Sequence, residues 1–197
     1  GFQDEEVIYP YYRLLEAGFH VDVATKDKVI VRGKYGIPVT GTLDTKDLRE
    51  ENYDLVVLPG GHEAPDRVRQ IKEVLTFVKA MFDKGKVVAA ICHGPWIAIS
   101  AGIVKGKRAT CYQGMADDLK NAGAIYVDAP VVVDGNLITS PHYRNNGDFM
   151  KAVLDWLDHR TGIKKLLHEA LFENVPGGSR WRYVWGSTLT FTLTVQV

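Results

Sequence analysis

Cysteine is scarce in this chain: two residues in 197, Cys92 and Cys111. A disulfide framework is thereby excluded as the source of stability, and a reducing, cytoplasmic setting is the expectation. Net charge is also missing, with 24 basic residues against 24 acidic. No overall field therefore favours nucleic acid or an anionic membrane surface. No spacing of cysteine and histidine matches a metal site, so no metal is expected. The apolar run at the end of the chain, "TLTFTLTVQV", is shorter than the roughly 20 residues that span a bilayer. An initial methionine is lacking too: Gly1 stands in a polar "GFQDEE" that reads as a strand-to-helix loop. We therefore expect a strand upstream of Gly1 and read the chain as a fragment.

What is present is the composition of a globular protein, 46% hydrophobic and 24% charged, enough for one domain of about 150 residues with an appendage. Apolar strands alternate with amphipathic helices. Residues 5–17 predict a helix with acids in its first turn and Gly18 beyond its end. "HVDVAT" predicts a strand, and "VIVRGKYGIPVT" an edge hairpin, because Pro38 lacks an amide donor. "YDLVVLPGG" and "KVVAAI" predict buried strands, separated by a long amphipathic helix broken near Gln70. A short helix "PWIAISAG", an edge strand "GKRATCY", a helix "MADDLKNAG", strands in "AIYVD" and "VVVDGNLITS" and a helix "NGDFMKAVLDWLDHR" follow. This alternation predicts a mainly parallel sheet covered on both faces, with ligands at the carboxyl ends of the strands.

Cys92 falls at such an end, in "AICHG". Ala90 and Gly94, two residues to either side, are small enough for a sharp strand-to-helix turn that lifts a nucleophile above the sheet. The helix that begins there favours thiolate over thiol. The turn "LPGG", with Gly60 and Gly61, brings a Gly61 amide towards the same point, where it would form an oxyanion hole with the amide of His93. The residues alone leave two alternatives open, a nucleophile and a small buried hydrophobe. For Cys111 the buried hydrophobe is the expectation.

"ICHGPWIAISAGIVKGKRAT", "LVVLPGGHEAPDRVR" and "FQDEEVIYPYYRLLEAG", in this order, resemble the PfpI family of the class I glutamine amidotransferase-like superfamily, over residues 1–157. The resemblance implies a flavodoxin-like three-layer α/β/α sandwich whose first strand is missing here. It places the nucleophile on Cys92, its adjacent histidine on His93, and on Glu6 a glutamate whose carboxyl contacts the sulfur and lowers the thiol pKa into the range of roughly 4 to 7. An acid from a neighbouring subunit that completes the site falls on Asp66, in a loop one residue longer than in the type member, and Gln3 replaces a family acid. A homo-oligomer and the absence of a cofactor are further implications.

Three residues carry alternatives. Without the resemblance, Glu6 reads as a first-turn acid facing water. His93 reaches Cys92 as a base only if the turn twists it round; otherwise it lends its amide. His142, in "TSPHYRNNGD", is a spare candidate, whereas His20 and His62 read as solvated. The implied reaction begins with attack of Cys92 on a carbonyl of a peptide or small molecule: glyoxalase III-like, deglycase-like or peptidase-like chemistry. A pocket closed by Tyr11, Trp96 and His142 favours the small carbonyl. The competing class is a redox-sensing or stress-protective protein with little turnover.

The tail reads differently. "TLTFTLTVQV" alternates like an amphipathic strand. As a whole, residues 158–197 resemble the amino-terminal start of cytochrome b, with "PGGSRW" before "WGS" and an interfacial "RWRYVW". That resemblance implies a fused membrane electron-transfer subunit and membrane attachment through the tail. Haem would belong only to the part downstream of residue 197, so His159 and His168 are not ligands. Two joined reading frames would give the same text.

Overall fold

The computed structural model describes residues 1–161, with side chains to residue 159. Its centre is the run Val87 to Ile91, five consecutive apolar residues, each fully buried. These residues form β6 (Val87–Ile91) in a four-stranded sheet with β5 (Leu55–Leu58), β9 (Val132–Asp134) and β10 (Leu137–Ser140), in the order β5-β6-β10-β9. β5 and β10 both run parallel to β6, with Leu58 beside Ala90 and Ser140 beside Ile91. β9 returns antiparallel across the tight turn at Gly135 and Asn136. The mainly parallel sheet matches the sequence expectation.

Successive side chains of a strand face opposite sides. Val88 and Ala90 enter the main apolar cluster, together with Val78 and Met81 of α3 (Lys72–Asp83) and Ile97 and Ala98 of α4 (Pro95–Ser100). Val87, Ala89 and Ile91 face the other way and are equally buried. A strand buried on both faces is what a layered α/β arrangement requires. At about 25 cal/mol per Å² of apolar surface removed from water, such strands are the largest favourable contribution to the fold.

The remaining elements frame this centre. α1 (Asp4–Glu16) carries acids in its first turn and buries Glu6, Pro10 and Leu14. α2 (Glu63–Val68) and α3 are separated at Arg69 to Ile71, the break anticipated near Gln70. α5 (Ala116–Asn121) is anchored by the buried Leu119, and α6 (Asn146–Thr161) by Phe149, Met150 and Val153. The hairpin β2 (Ile30–Arg32) and β3 (Pro38–Thr40) pairs Arg32 with Pro38, and it forms a two-stranded sheet of its own where the sequence suggested the edge of the main sheet. The Asp4 carboxylate accepts from the amides of Tyr35 and Ile37 at 2.9 and 3.1 Å and ties this hairpin to α1. One residue further along α1, the Asn146 side chain donates to the Glu5 carbonyl at 2.8 Å.

Two strands are shorter than the sequence pattern suggests. Of "HVDVAT" only β1 (Ala24–Thr25) is strand, paired in parallel with β4 (Leu43–Asp44) in a small sheet of its own. The Val23 carbonyl is taken by the amides of Thr42 and Leu43 and its amide by the Thr42 hydroxyl, so the ladder ends locally. Likewise, "GKRATCY" yields only β7 (Arg108–Ala109), paired with β8 (Ile125–Tyr126). Residues 1–153 form one compact unit. The expected boundary between residues 157 and 158 falls inside the continuous helix α6. Among the described residues, no helix is long and apolar enough to cross a membrane.

Candidate active site

β6 ends at Ile91 and the chain turns at once. Cys92 has φ = +60°, a left-handed conformation that costs a non-glycine residue on the order of 1–2 kcal/mol. Backbone hydrogen bonds hold it there: its amide donates to the Ser140 carbonyl and its carbonyl accepts from the Tyr112 amide, both at 2.9 Å. The turn leaves no room for side chains beside it. A methyl group on Gly94 would collide with the Leu58 carbonyl oxygen, and one on Gly60 would stand 2.5 Å from Glu6 Oε2 and 2.6 Å from Cys92 Cβ. The small residues around Cys92 are thus demanded by close approach of two strand ends.

The turn also swings His93 round. Its Nδ1 lies 3.2 Å from Cys92 Sγ, an approach that two adjacent residues of a regular strand do not permit. Burial lowers the His93 pKa and neighbouring His62 lowers it further, so the imidazole is neutral and able to take a proton.

Glu6 completes the core of the site. It is fully buried, and its Oε2 accepts from the Gly60 amide at 2.7 Å. Its Oε1 is buried without a hydrogen-bond partner. Burial pushes its carboxyl up to about 7, against the Gly60 amide and the Cys92 thiol, which both lower it. Burial pushes the thiol up to about 12, and the Glu6 carboxylate adds to this, while the amides of Gly61 and His93 work the other way. The expected thiol in the range of roughly 4 to 7 is therefore corrected: Cys92 is 7% exposed, and a thiolate there loses its hydration before anything else acts on it. The two groups titrate as a pair. The carboxyl loses its proton near pH 7 and the thiol only near 12.

The amides of Gly61 and His93, expected to form an oxyanion hole, are directed at the sulfur in this resting state. Gly60 lies between Glu6 and Cys92. His142 follows the end of β10 closely, its Nδ1 accepting from the Arg144 amide and its ring packed on Tyr143 at 4.1 Å. Asp66 is exposed on α2. Tyr11 meets Tyr12 edge-on at 5.2 Å, on α1. Trp96 does stand at the site, 5.0 Å from the His93 ring.

Two residues escaped the sequence reading. Tyr112 stacks on His93 at 4.6 Å, and His62, exposed as the solvated reading expected, also stands 5.6 Å from the same ring. Tyr112 closes "ATCY", three residues beyond the end of β7, and a position after a strand end was its only signal. His62 carried none, because it lies in an irregular turn.

A profile of the DJ-1/PfpI family matches residues 1–156. The chain belongs to the DJ-1/PfpI family. Among DJ-1/PfpI relatives, a Pyrococcus abyssi protein named a deglycase is 48% identical over 139 residues, covering 71% of this chain and 83% of its own length. The deglycase PfpI of Pyrococcus furiosus is 46% identical over 141 residues, covering 72% of this chain and 84% of its own. Among solved structures, a two-domain protein of Anabaena variabilis with DJ-1/ThiJ/PfpI-like and ferritin-like domains superposes with a TM-score of 0.77 at 37% identity. That match covers 80% of this chain and 47% of the other. The family match stops at residue 156, and the cytochrome b-like reading of the tail falls almost wholly on residues 162–197, outside the described residues. Among the described residues, no group of three His, Cys, Asp or Glu side chains is arranged to hold a metal ion.

Proposed function

We propose that this DJ-1/PfpI chain is a cysteine-dependent enzyme acting on the carbonyl group of a small 2-oxoaldehyde or of its adduct with an amine or thiol, in the manner of a deglycase. One observation carries the reading: the Cys92 sulfur, lifted by a left-handed turn, lies 3.2 Å from a neutral imidazole and beside a buried carboxyl. The deglycase names of relatives at 46–48% identity support the same class.

The chemistry follows from the geometry. Sγ attacks the aldehyde carbon, a carbon–sulfur bond forms, and the thiol proton passes to His93 Nδ1 or to the Glu6 carboxylate. Once bonded to carbon, the sulfur carries no charge. The amides of Gly61 and His93 are then free to turn to the oxygen. Transfer of the hydrogen from the first carbon to the second, through an enediol with Glu6 as base, gives a thioester. Water hydrolyses it to a 2-hydroxy acid and restores the thiol. With an adduct as substrate, the amine or thiol leaves before this step. No cofactor takes part. The raised thiol speaks against a peroxide sensor, which needs a standing thiolate, and the buried sulfur favours a small substrate over a peptide.

The test is turnover of methylglyoxal to lactate by the full chain, and release of free amine from its early adducts. Cys92→Ser should fall to background and His93→Ala by about 100-fold, the range expected for loss of a general base. Lactate formation by Cys92→Ser at the wild-type rate would overturn the reading.

A further inference from the structure

Three rings from three segments of the chain surround His93. Tyr112 stacks on its face with planes 27° apart, Trp96 of α4 is tilted against it at 5.0 Å, and His62, before α2, meets it edge-on. Trp96 is itself anchored. Its indole N–H donates to Asp118 Oδ2 at 2.9 Å. On its ring lies the Arg69 guanidinium, 5.7 Å from the centroid, and Arg69 Nε donates to Ser100 Oγ at 2.9 Å. A tryptophan ring turns about two torsions, and a hydrogen bond at the far end of the indole fixes both.

The geometry points to Asp118 as a positioning residue for the reaction of Cys92, acting through Trp96 on the His93 ring. The inference rests on the proposed role of His93 as the base that serves Cys92. Asp118 is well placed for it: α5 is anchored in the core by Leu119, beside the buried Met115, so the carboxylate projects from a fixed support. Its neighbour Asp117 is the natural control, since it pairs with Lys120 at 3.1 Å and has no part in the aromatic cluster. Without the Asp118 contact the indole rotates, the His93 ring loses one of its three walls, and Nδ1 spends less time at 3.2 Å from the sulfur. Substrate binding is untouched, so the loss falls on kcat rather than KM.

The experiment uses the full chain and two readouts, the rate of Cys92 alkylation by iodoacetamide and kcat and KM for methylglyoxal. Asp118→Leu is expected to lower kcat and the alkylation rate about five-fold, the effect of one hydrogen bond, with KM changed by less than about two-fold. Trp96→Phe, which keeps a ring and removes the donor, should do the same, and the double variant no more than either. Asp118→Asn should restore the wild-type rates, because an amide oxygen still accepts from the indole. Asp117→Leu should match wild type. Additive losses, an effect confined to KM, or an Asp118→Asn as slow as Asp118→Leu would overturn the inference. His93→Ala separates the two levels. If it alkylates and turns over like wild type, the role of His93 fails and the inference with it; if it is slow while Asp118→Leu is not, the inference alone fails.

Discussion

Glu6 and Cys92 form a buried acid pair in which the carboxyl raises the thiol and the thiol lowers the carboxyl, each against the larger push of burial. The consequence is visible in reactivity against pH. The carboxylate forms near pH 7 and the thiolate only near 12. Alkylation of Cys92 by iodoacetamide should therefore rise only at alkaline pH. In Glu6→Gln, where no carboxylate faces the sulfur, the rise should move to lower pH. An unchanged midpoint would dissolve the pair.

The same carboxyl makes stability depend on pH. Its folded value of about 7 lies above the ordinary 4.5, so between these values the folded chain binds a proton that the unfolded chain has lost. Stability then falls as pH rises from about 4.5 to about 7, by about 3 kcal/mol, and stays at the lower level above it. Urea unfolding at pH 4.5 and pH 8 should show Glu6→Gln gaining on wild type by this amount at the higher pH. Equal pH dependence in the two proteins would refute the assignment.

The conformation of Cys92 itself carries a testable cost. Cys92→Ala and Cys92→Gly both lack sulfur, yet only alanine must keep a Cβ at φ = +60°. Glycine is usually the less stable choice, by about 0.4–1 kcal/mol through the unfolded chain. Here the order should invert, Cys92→Gly being the more stable by about 1 kcal/mol. Thermal unfolding of the pair decides it.

Of the eleven large hydrophobic side chains most exposed among the described residues, eight lie on α1, just beyond it, or in and beside the β2–β3 hairpin, Tyr35, Ile30 and Tyr12 the most prominent. Asp4 joins both elements into one surface, and a contiguous apolar surface of this kind marks an interface. We infer that a second copy of the chain covers it. Sedimentation at roughly 10 µM, where micromolar or tighter association is evident, should give a dimer, and Tyr12→Asp a folded monomer. A wild-type monomer under these conditions would remove the inference.

The strand-to-helix turn at Cys92 was legible because its causes are local: five apolar residues, then small residues on both sides. The broken helix at Gln70 and the hairpin around Gly33 and Gly36 were legible for the same reason, since periodicity and turn residues are written in neighbouring letters, whereas the hairpin's separation from the main sheet was not. Glu6 was reached only through family resemblance, because nothing in "QDEEV" distinguishes a buried acid from a solvated one. The raised thiol was misjudged because burial is a property of the assembled fold and outweighs both the helix end and the two amides. Tyr112 and His62 close on His93 from distant segments, and no spacing encodes that meeting.

Asp4, Glu5 and Glu6 hold three different parts of the molecule in succession: the hairpin amides, the Asn146 side chain, and the Gly60 amide beside the thiol. Adding or deleting one residue within this run would turn the rest of the helix by about 100° relative to what precedes it, so that the three contacts could no longer all be kept. Differences in length between relatives should therefore accumulate in turns such as the one carrying His62, while the count of residues from Asp4 to Glu6 stays frozen, even where the letters around it drift.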